Sequence, residues 1–123
     1  MSFMTQTLTS EFKKAVRKLG EALQQQKTEF LRDSVIQRFE FCVELAWKTS
    51  KKIMGVPHSA PKMVVREMAQ NQLIEDVELW LKAIDMRNLS THTYKEKLAE
   101  EVYEFAKEFY PHLKLLTEKI EEP

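Results

Sequence analysis

Glycine, proline and cysteine are scarce in this chain, whose 123 residues include two, four and one of them, respectively. So few turn-forming residues argue against a many-stranded β fold and favour a few long helices. The single cysteine, Cys42, excludes a disulfide within the chain and fits a reducing cytoplasm. No apolar run reaches the length of about 20 residues that a transmembrane helix needs, and the N-terminus lacks a signal-peptide pattern. We therefore expect a cytoplasmic protein that does not enter a membrane.

Length and charge set further limits. A chain of this length forms one hydrophobic core, so we expect a single domain over residues 1–123. The formal net charge is zero, which favours neither nucleic acid nor membranes. Residues 1–62 contain 11 Lys/Arg and 6 Asp/Glu, a net +5, whereas residues 63–123 contain 8 and 13, a net −5. This asymmetry fits either oppositely charged helices packed together or a basic face for phosphate that the total hides.

Apolar residues recur every three or four positions along most of the chain, which predicts amphipathic helices. The predicted helices run from Thr9 or Ser10 to Lys27, from Asp33 or Ser34 to Met54, from a cap at Ser59 to about Asn71, from Asp76 to Arg87 or Asn88, and from Tyr94 to Ile120. The second is apolar around most of its circumference, so we expect it to be largely buried.

Three features of these helices predict specific contacts. Gly20 inside the first helix indicates a close approach of another helix. Pro111 is expected to kink or break the last helix, because proline lacks the N–H of the helical ladder. A second apolar stripe of the last helix predicts an additional contact surface, for a helix of the same chain or for another subunit; it contains Ala99, Tyr103, Ala106 and Tyr110.

The stretch from Arg87 to Tyr94 is the polar turn most suited to chemistry. Arg87 offers a fixed charge for phosphate oxygens, and His92 offers an imidazole, the side chain most often used to donate or accept a proton in catalysis. Ser90, Thr91 and Thr93 add hydroxyls beside the free N–H groups of the next helix, which favour an anion. The turn therefore suits a phosphodiester site without metal, in which a base removes the 2′-OH proton of RNA and Arg87 holds the developing charge.

Plainer interpretations of the same turn remain open. Arg87 can pair with a neighbouring carboxylate such as Asp85 or Glu96, His92 can cap a helix, and Tyr94 can be a core residue. The sequence provides no Glu-x-x-His pair on two helices, no zinc-binding cysteine and histidine cluster and no glycine-rich phosphate loop. We therefore expect neither a metal site nor a cofactor.

Two segments resemble a known family. Arg87-x-x-x-x-His92-x-Tyr94 resembles the Arg-(four to six residues)-His signature of HEPN domains, in the variant with a tyrosine two places after the histidine. The segments 33–41 and 44–48 resemble the second helix of the HEPN branch named nucleotidyltransferase substrate-binding proteins, and 86–94 resembles its most diagnostic stretch.

The resemblance implies an all-α fold, an antiparallel up-down four-helix bundle with one additional short helix. It also implies a homodimer, a separate minimal nucleotidyltransferase as partner, and metal-independent RNA cleavage at a cleft between two copies. Arg87 and His92 would then be catalytic, and Asn88, Ser90 and Thr91 would shape binding. Tyr94 is the candidate for AMP attachment by the partner, which would neutralise a toxin ribonuclease. The alternative is a non-catalytic subunit that binds a nucleotide or another substrate for the transferase.

Overall fold

A computed structural model describes residues 2–121 of the chain; in this part the regular secondary structure is entirely helical, with no strand. The helices are α1 (Phe3–Leu23), α2 (Glu29–Met54), α3 (Pro61–Gln70), α4 (Val77–Leu89) and α5 (Glu96–Glu121), with one 3₁₀ turn at Ser90–His92 between the last two. Helices α1, α2, α4 and α5 form the antiparallel up-down bundle, and the short α3 packs against α2 and α4. The predicted fold class is confirmed. No helix within residues 2–121 combines the length and the apolar character needed to cross a membrane.

Helix α1 begins earlier than the sequence predicts. Its cap is Ser2, whose side chain accepts a hydrogen bond from the backbone N–H of Thr5. Thr5 and Thr9 then lie on the buried face, and the Thr9 hydroxyl donates to the Thr5 carbonyl at 2.9 Å. The predicted start at Thr9 or Ser10 is therefore wrong. Both residues lie inside α1, and the Thr9 hydroxyl bonds to a carbonyl of the helix instead of capping its N-terminus.

Helix α2 also begins earlier, since Thr28 rather than Asp33 or Ser34 caps it. The extra turn contains Arg32, which is buried and forms ion pairs with Asp33, Glu96 and Glu100. Hydrogen bonds to Glu96 and then to Glu100 raise the pKa of the Arg32 guanidinium above its ordinary value. A charged residue at a core position is tolerated here because carboxylates from α5 pair with it.

Aromatic rings from α2, α4 and α5 form the centre of the core. Phe39 meets Phe105 and Phe109 edge-on, with ring centroids 5.8 and 6.3 Å apart, and Trp80 meets Phe109 at 4.7 Å. Helix α5 carries this face through Pro111 without a break in the assigned helix. The predicted break at Pro111 is therefore absent; Pro111 itself is exposed.

The second stripe of α5 packs within the same chain. Ala99, Tyr103 and Ala106 are buried, and Tyr110 is half-buried beside Gly20 of α1. A Cβ at Gly20 would lie 2.8 Å from Cζ of Tyr110, closer than carbon atoms pack without overlap. The close approach predicted from Gly20 is thus found, and its partner is the α5 stripe.

Candidate functional site

The polar turn links α4 to α5 with a different local geometry from the predicted one. Helix α4 is capped by Asp76, as predicted, and ends at Leu89; the 3₁₀ turn follows and α5 begins at Glu96. The Thr93 hydroxyl donates to the Ser90 carbonyl at 3.0 Å. The prediction that α5 starts at Tyr94 is therefore wrong. Thr93 does not cap the helix, and Tyr94 lies before its first residue.

Hydroxyl groups in this turn hold the backbone at the end of α4. Ser90 Oγ donates to the Arg87 carbonyl at 2.6 Å, and Thr91 Oγ1 donates to the Asn88 carbonyl at 3.1 Å. Ser90 is buried, whereas Asn88 and Thr91 are exposed. Asn88 and Thr91 can therefore contact a ligand directly, whereas Ser90 stabilises the conformation of the turn.

Arg87 points its guanidinium at a carboxylate of α2. Its Nε lies 3.0 Å from Oε1 of Glu44, an ion-pair distance, although the N–H is not aimed at that oxygen well enough for a hydrogen bond. Asp85 pairs instead with Lys62, and Glu96 with Arg32. The alternative of a carboxylate partner for Arg87 therefore holds, but the partner is Glu44 and neither of the two expected residues.

The Nη groups of Arg87 have no hydrogen-bond partner within residues 2–121. The side chain keeps 27% of its surface exposed. The Arg87 guanidinium is held near Glu44 by the ion pair at Nε, and both of its Nη atoms are open. Such a group suits a phosphate, which can accept two parallel N–H hydrogen bonds.

Glu44 also belongs to the candidate site, although no pattern in the sequence indicates this. In addition to Arg87, it accepts a hydrogen bond from Trp47 Nε1 at 3.4 Å and pairs with Lys48 Nζ at 3.2 Å. Glu44 and Lys48 are four residues apart along α2, a spacing at which opposite charges on a helix can pair. The contact of Glu44 with Arg87 joins residues 43 positions apart, which no local pattern signals.

His92 and Tyr94 stand at the surface next to each other. Their ring centroids are 6.0 Å apart with planes at 74°, and Tyr94 is 78% exposed. The alternative of a core tyrosine at position 94 is therefore wrong. The His92 carbonyl accepts from the Lys95 N–H at 3.1 Å, whereas its imidazole has no hydrogen-bond partner in the described chain. The ring is free to exchange a proton with a ligand.

The turn thus brings an open guanidinium, a free imidazole and an exposed phenol to one end of α4. Among residues 2–121, no three His, Cys, Asp or Glu side chains are close enough to form a metal-binding group. Cys42 is buried, and desolvation raises the pKa of its thiol to about 12, so this group is a core residue rather than a nucleophile.

An all-helical bundle with an Arg-x₄-His-x-Tyr turn after its fourth helix defines a domain of the HEPN class. The chain belongs to the family described as nucleotidyltransferase substrate binding protein like, whose model matches residues 7–122. A curated relative from Haemophilus influenzae, named probable ribonuclease HepT, is 31% identical over 93 residues. That match covers 69% of this chain and 64% of the relative, so the chain spans less than two thirds of the relative's length.

Solved structures share the fold. A protein of Thermus thermophilus is 28% identical with a TM-score of 0.81, and the match covers 90% of this chain and 99% of that one. A Haemophilus influenzae protein, described as having the fold of a substrate binding domain of a nucleotidyltransferase, is 24% identical with a TM-score of 0.70, over 97% and 98% of the two chains. A chain of a toxin–antitoxin structure with AMP-PNP has a TM-score of 0.74 at 16% identity, over 98% and 100%. The last two likenesses concern the fold alone.

Proposed function

We propose that this chain is the HEPN subunit of a two-component system, a metal-independent toxin ribonuclease that a minimal nucleotidyltransferase partner neutralises. The observation that carries the proposal is the presence of Arg87, open at Nη, in the last turn of α4 and of His92 in the 3₁₀ turn that follows. The His92 imidazole has no hydrogen-bond partner within residues 2–121. The family match supports a component of a nucleotidyltransferase system, and the ribonuclease name of the Haemophilus relative supports the catalytic role.

The chemistry follows from these two groups. The neutral His92 imidazole takes the 2′-OH proton, and the 2′-oxygen attacks the adjacent phosphorus. The bond from phosphorus to the 5′-oxygen breaks, the leaving oxygen takes a proton from solvent water, and the protonated His92 returns its proton to solvent. Arg87 binds the non-bridging oxygens, whose negative charge grows in the transition state. The products are a 2′,3′-cyclic phosphate and a 5′-hydroxyl.

We propose further that the chain folds as one domain over residues 1–123 and acts as a homodimer. His92 and Tyr94 are exposed on a single chain, whereas electrostatic catalysis gains most where water is excluded. A second copy placed against this turn would enclose both sets of Arg87 and His92 in one cleft. Analytical ultracentrifugation of the purified chain tests this part, and a monomer at micromolar concentration contradicts it.

Tyr94 is the proposed point of control by the nucleotidyltransferase. Its exposed hydroxyl is accessible to another protein. Attack of this oxygen on the α-phosphate of ATP releases pyrophosphate and leaves AMP on Tyr94. The added negative charge beside His92 and Arg87 would repel the RNA phosphate. Co-expression with the partner is expected to add one AMP to the chain and none to a Tyr94→Phe variant, as measured by intact mass.

The second candidate is a non-catalytic subunit that presents a nucleotide or another substrate to the transferase. The family description as substrate binding protein like favours it, as does the zero formal charge, because RNA enzymes often have a basic surface. It predicts stable association with the transferase and no RNA cleavage by the purified chain.

RNA cleavage by the purified chain in excess EDTA separates the two candidates. We expect the wild type to cut, and Arg87→Ala and His92→Ala to lose at least about a hundredfold in rate, since each removes a proton-transfer or charge-stabilising group. His58→Ala is the matched control, because this histidine lies in the loop before α3 and pairs with Glu67 at 3.6 Å. Equal cleavage by all four proteins, or by none, contradicts the proposed ribonuclease.

A further inference from the structure

A concave surface lies at Trp47 and Lys48, two residues of α2 that contact Glu44. It is a groove of about 460 Å³ between the start of α1 and the end of α2. Leu8, Trp47 and Val56 provide apolar and aromatic lining. Three lysines of α2 provide its charge: Lys48, Lys51 and Lys52. An aromatic ring among cations is the combination that binds single-stranded nucleic acid without reading its sequence.

The groove is connected to Arg87 through side chains on one face of α2. Trp47 and Lys48 lie three and four residues after Glu44, and Lys51 and Lys52 each lie four residues after one of these two, so the five residues share that face. Glu44 contacts Trp47 and Lys48, which line the groove, and also Arg87 of α4. With a rise of 1.5 Å per residue, the face extends about 12 Å from Glu44 to Lys52.

The lysine charges along this face are only partly neutralised within residues 2–121. Lys48 pairs with Glu44 and lies 5.7 Å from the centroid of the Trp47 ring. Lys51 and Lys52 have no ion pair or hydrogen bond from their side chains within residues 2–121. Lys51 and Lys52 therefore leave two unpaired positive charges at the end of α2, among the described residues.

We infer that this groove binds the single-stranded RNA that flanks the scissile phosphate. The inference rests on the proposed ribonuclease function and gives its substrate a path. Lys51 and Lys52 bind backbone phosphates, and Trp47 stacks on a base. Lys48 leaves Glu44 for the strand when the groove is occupied.

Binding of a non-cleavable strand tests the groove separately from catalysis. The probe is a fluorescein-labelled 2′-O-methyl RNA, which lacks the attacking hydroxyl, measured by anisotropy at several salt concentrations. Each single-strand phosphate contact contributes about 0.7 to the slope of log affinity against log salt. Lys51→Gln/Lys52→Gln is therefore expected to lower that slope by about 1.4 and to weaken binding about 25-fold at 0.1 M salt.

Arg66→Gln/Lys114→Gln is the matched control for this double variant. It makes the same change in net charge at two exposed residues that do not line the groove. We expect it to bind the strand as the wild type does. An equal loss in both double variants overturns the groove, because it would reflect net charge alone.

Stacking has its own pair of variants. Trp47→Phe keeps an aromatic ring and is expected to stay within about threefold of the wild type, whereas Trp47→Leu loses at least about fivefold. Equal affinities for the two overturn the stacking role. Circular dichroism and a melting temperature for each variant ensure that only folded proteins are compared.

The outcomes distinguish this inference from the ribonuclease proposal. Groove-dependent binding by a chain that cuts no RNA keeps the groove and refutes the ribonuclease. Cleavage and binding that are unchanged in Lys51→Gln/Lys52→Gln refute the groove and keep the ribonuclease. If the double variant binds RNA normally but no longer binds the nucleotidyltransferase, the groove is a protein-docking surface. Competition by AMP as effective as by the unlabelled strand indicates a mononucleotide site and also overturns the inference.

Discussion

Replacing Gly20 by alanine sets two effects of similar size against each other. Gly20 lies inside α1, where alanine is favoured over glycine by about 1 kcal/mol. The new methyl group would lie 2.8 Å from Cζ and 3.1 Å from Cε1 of Tyr110. Overpacking of this kind costs about 1–3 kcal/mol. We expect Gly20→Ala to be destabilised by about 1 kcal/mol, because the Tyr110 ring has to move out of its half-buried position.

The same substitution should reverse its sign when the ring is removed. In a Tyr110→Ala background only the helix propensity remains, so Gly20→Ala is expected to stabilise by about 1 kcal/mol. The coupling energy between the two sites is then about 2 kcal/mol. Urea unfolding followed by circular dichroism at 25 °C measures all four proteins of the cycle. Stabilisation by Gly20→Ala of equal size in both backgrounds would refute the close packing of α1 on α5.

Three other predictions concern acid stability, the thiol and the core. Hydrogen bonds from Lys27 and then from Arg32 lower the pKa of Glu100. The ionised carboxylate therefore stabilises the fold above its ordinary pKa, and this stabilisation is lost as pH falls through the lowered value. Glu100→Gln should lose less melting temperature in acid than the wild type, and an acid profile equal to that of the wild type contradicts this. Native Cys42, with its raised pKa, should react with a thiol reagent at pH 8 far more slowly than in guanidinium chloride; equal rates contradict its burial. Phe109→Ala should cost about 3–5 kcal/mol in urea unfolding, and a cost below 1 kcal/mol contradicts the aromatic core.

Helix type and order were predictable from the sequence because apolar periodicity is a local signal. The starts of α1 and α2 were not, because Thr5, Thr9 and Arg32 are polar residues at buried positions. The two threonines are acceptable there through bonds within α1, such as Thr9 to the Thr5 carbonyl. Arg32 is acceptable because, in addition to the adjacent Asp33, it pairs with Glu96 and Glu100, which are 64 and 68 residues away. Pairing at such separations follows from the packed bundle and leaves no pattern in the local sequence.

The residues of the candidate site were likewise only partly predictable from the sequence. Arg87, His92 and Tyr94 lie in one short stretch, so their spacing reveals them together. Glu44 comes from another helix and appears only when α2 and α4 pack. The start of α5 was misplaced because Thr93 can either accept from a helix N–H or donate to a carbonyl, and it does the second. The groove at Lys51 and Lys52 was invisible for a further reason, since lysines in the last turn of a helix are favoured by its dipole in any case.

The catalytic role proposed for the turn after α4 can be tested directly on the products of RNA cleavage. The most direct measurement identifies, by mass spectrometry, the ends of an RNA oligonucleotide treated with the purified wild-type chain in EDTA. Attack by the 2′-oxygen predicts a 2′,3′-cyclic phosphate and a 5′-hydroxyl, which are absent when His92→Ala replaces the wild type. Intact RNA, or fragments with a 3′-hydroxyl and a 5′-phosphate, would contradict the proposed catalytic role.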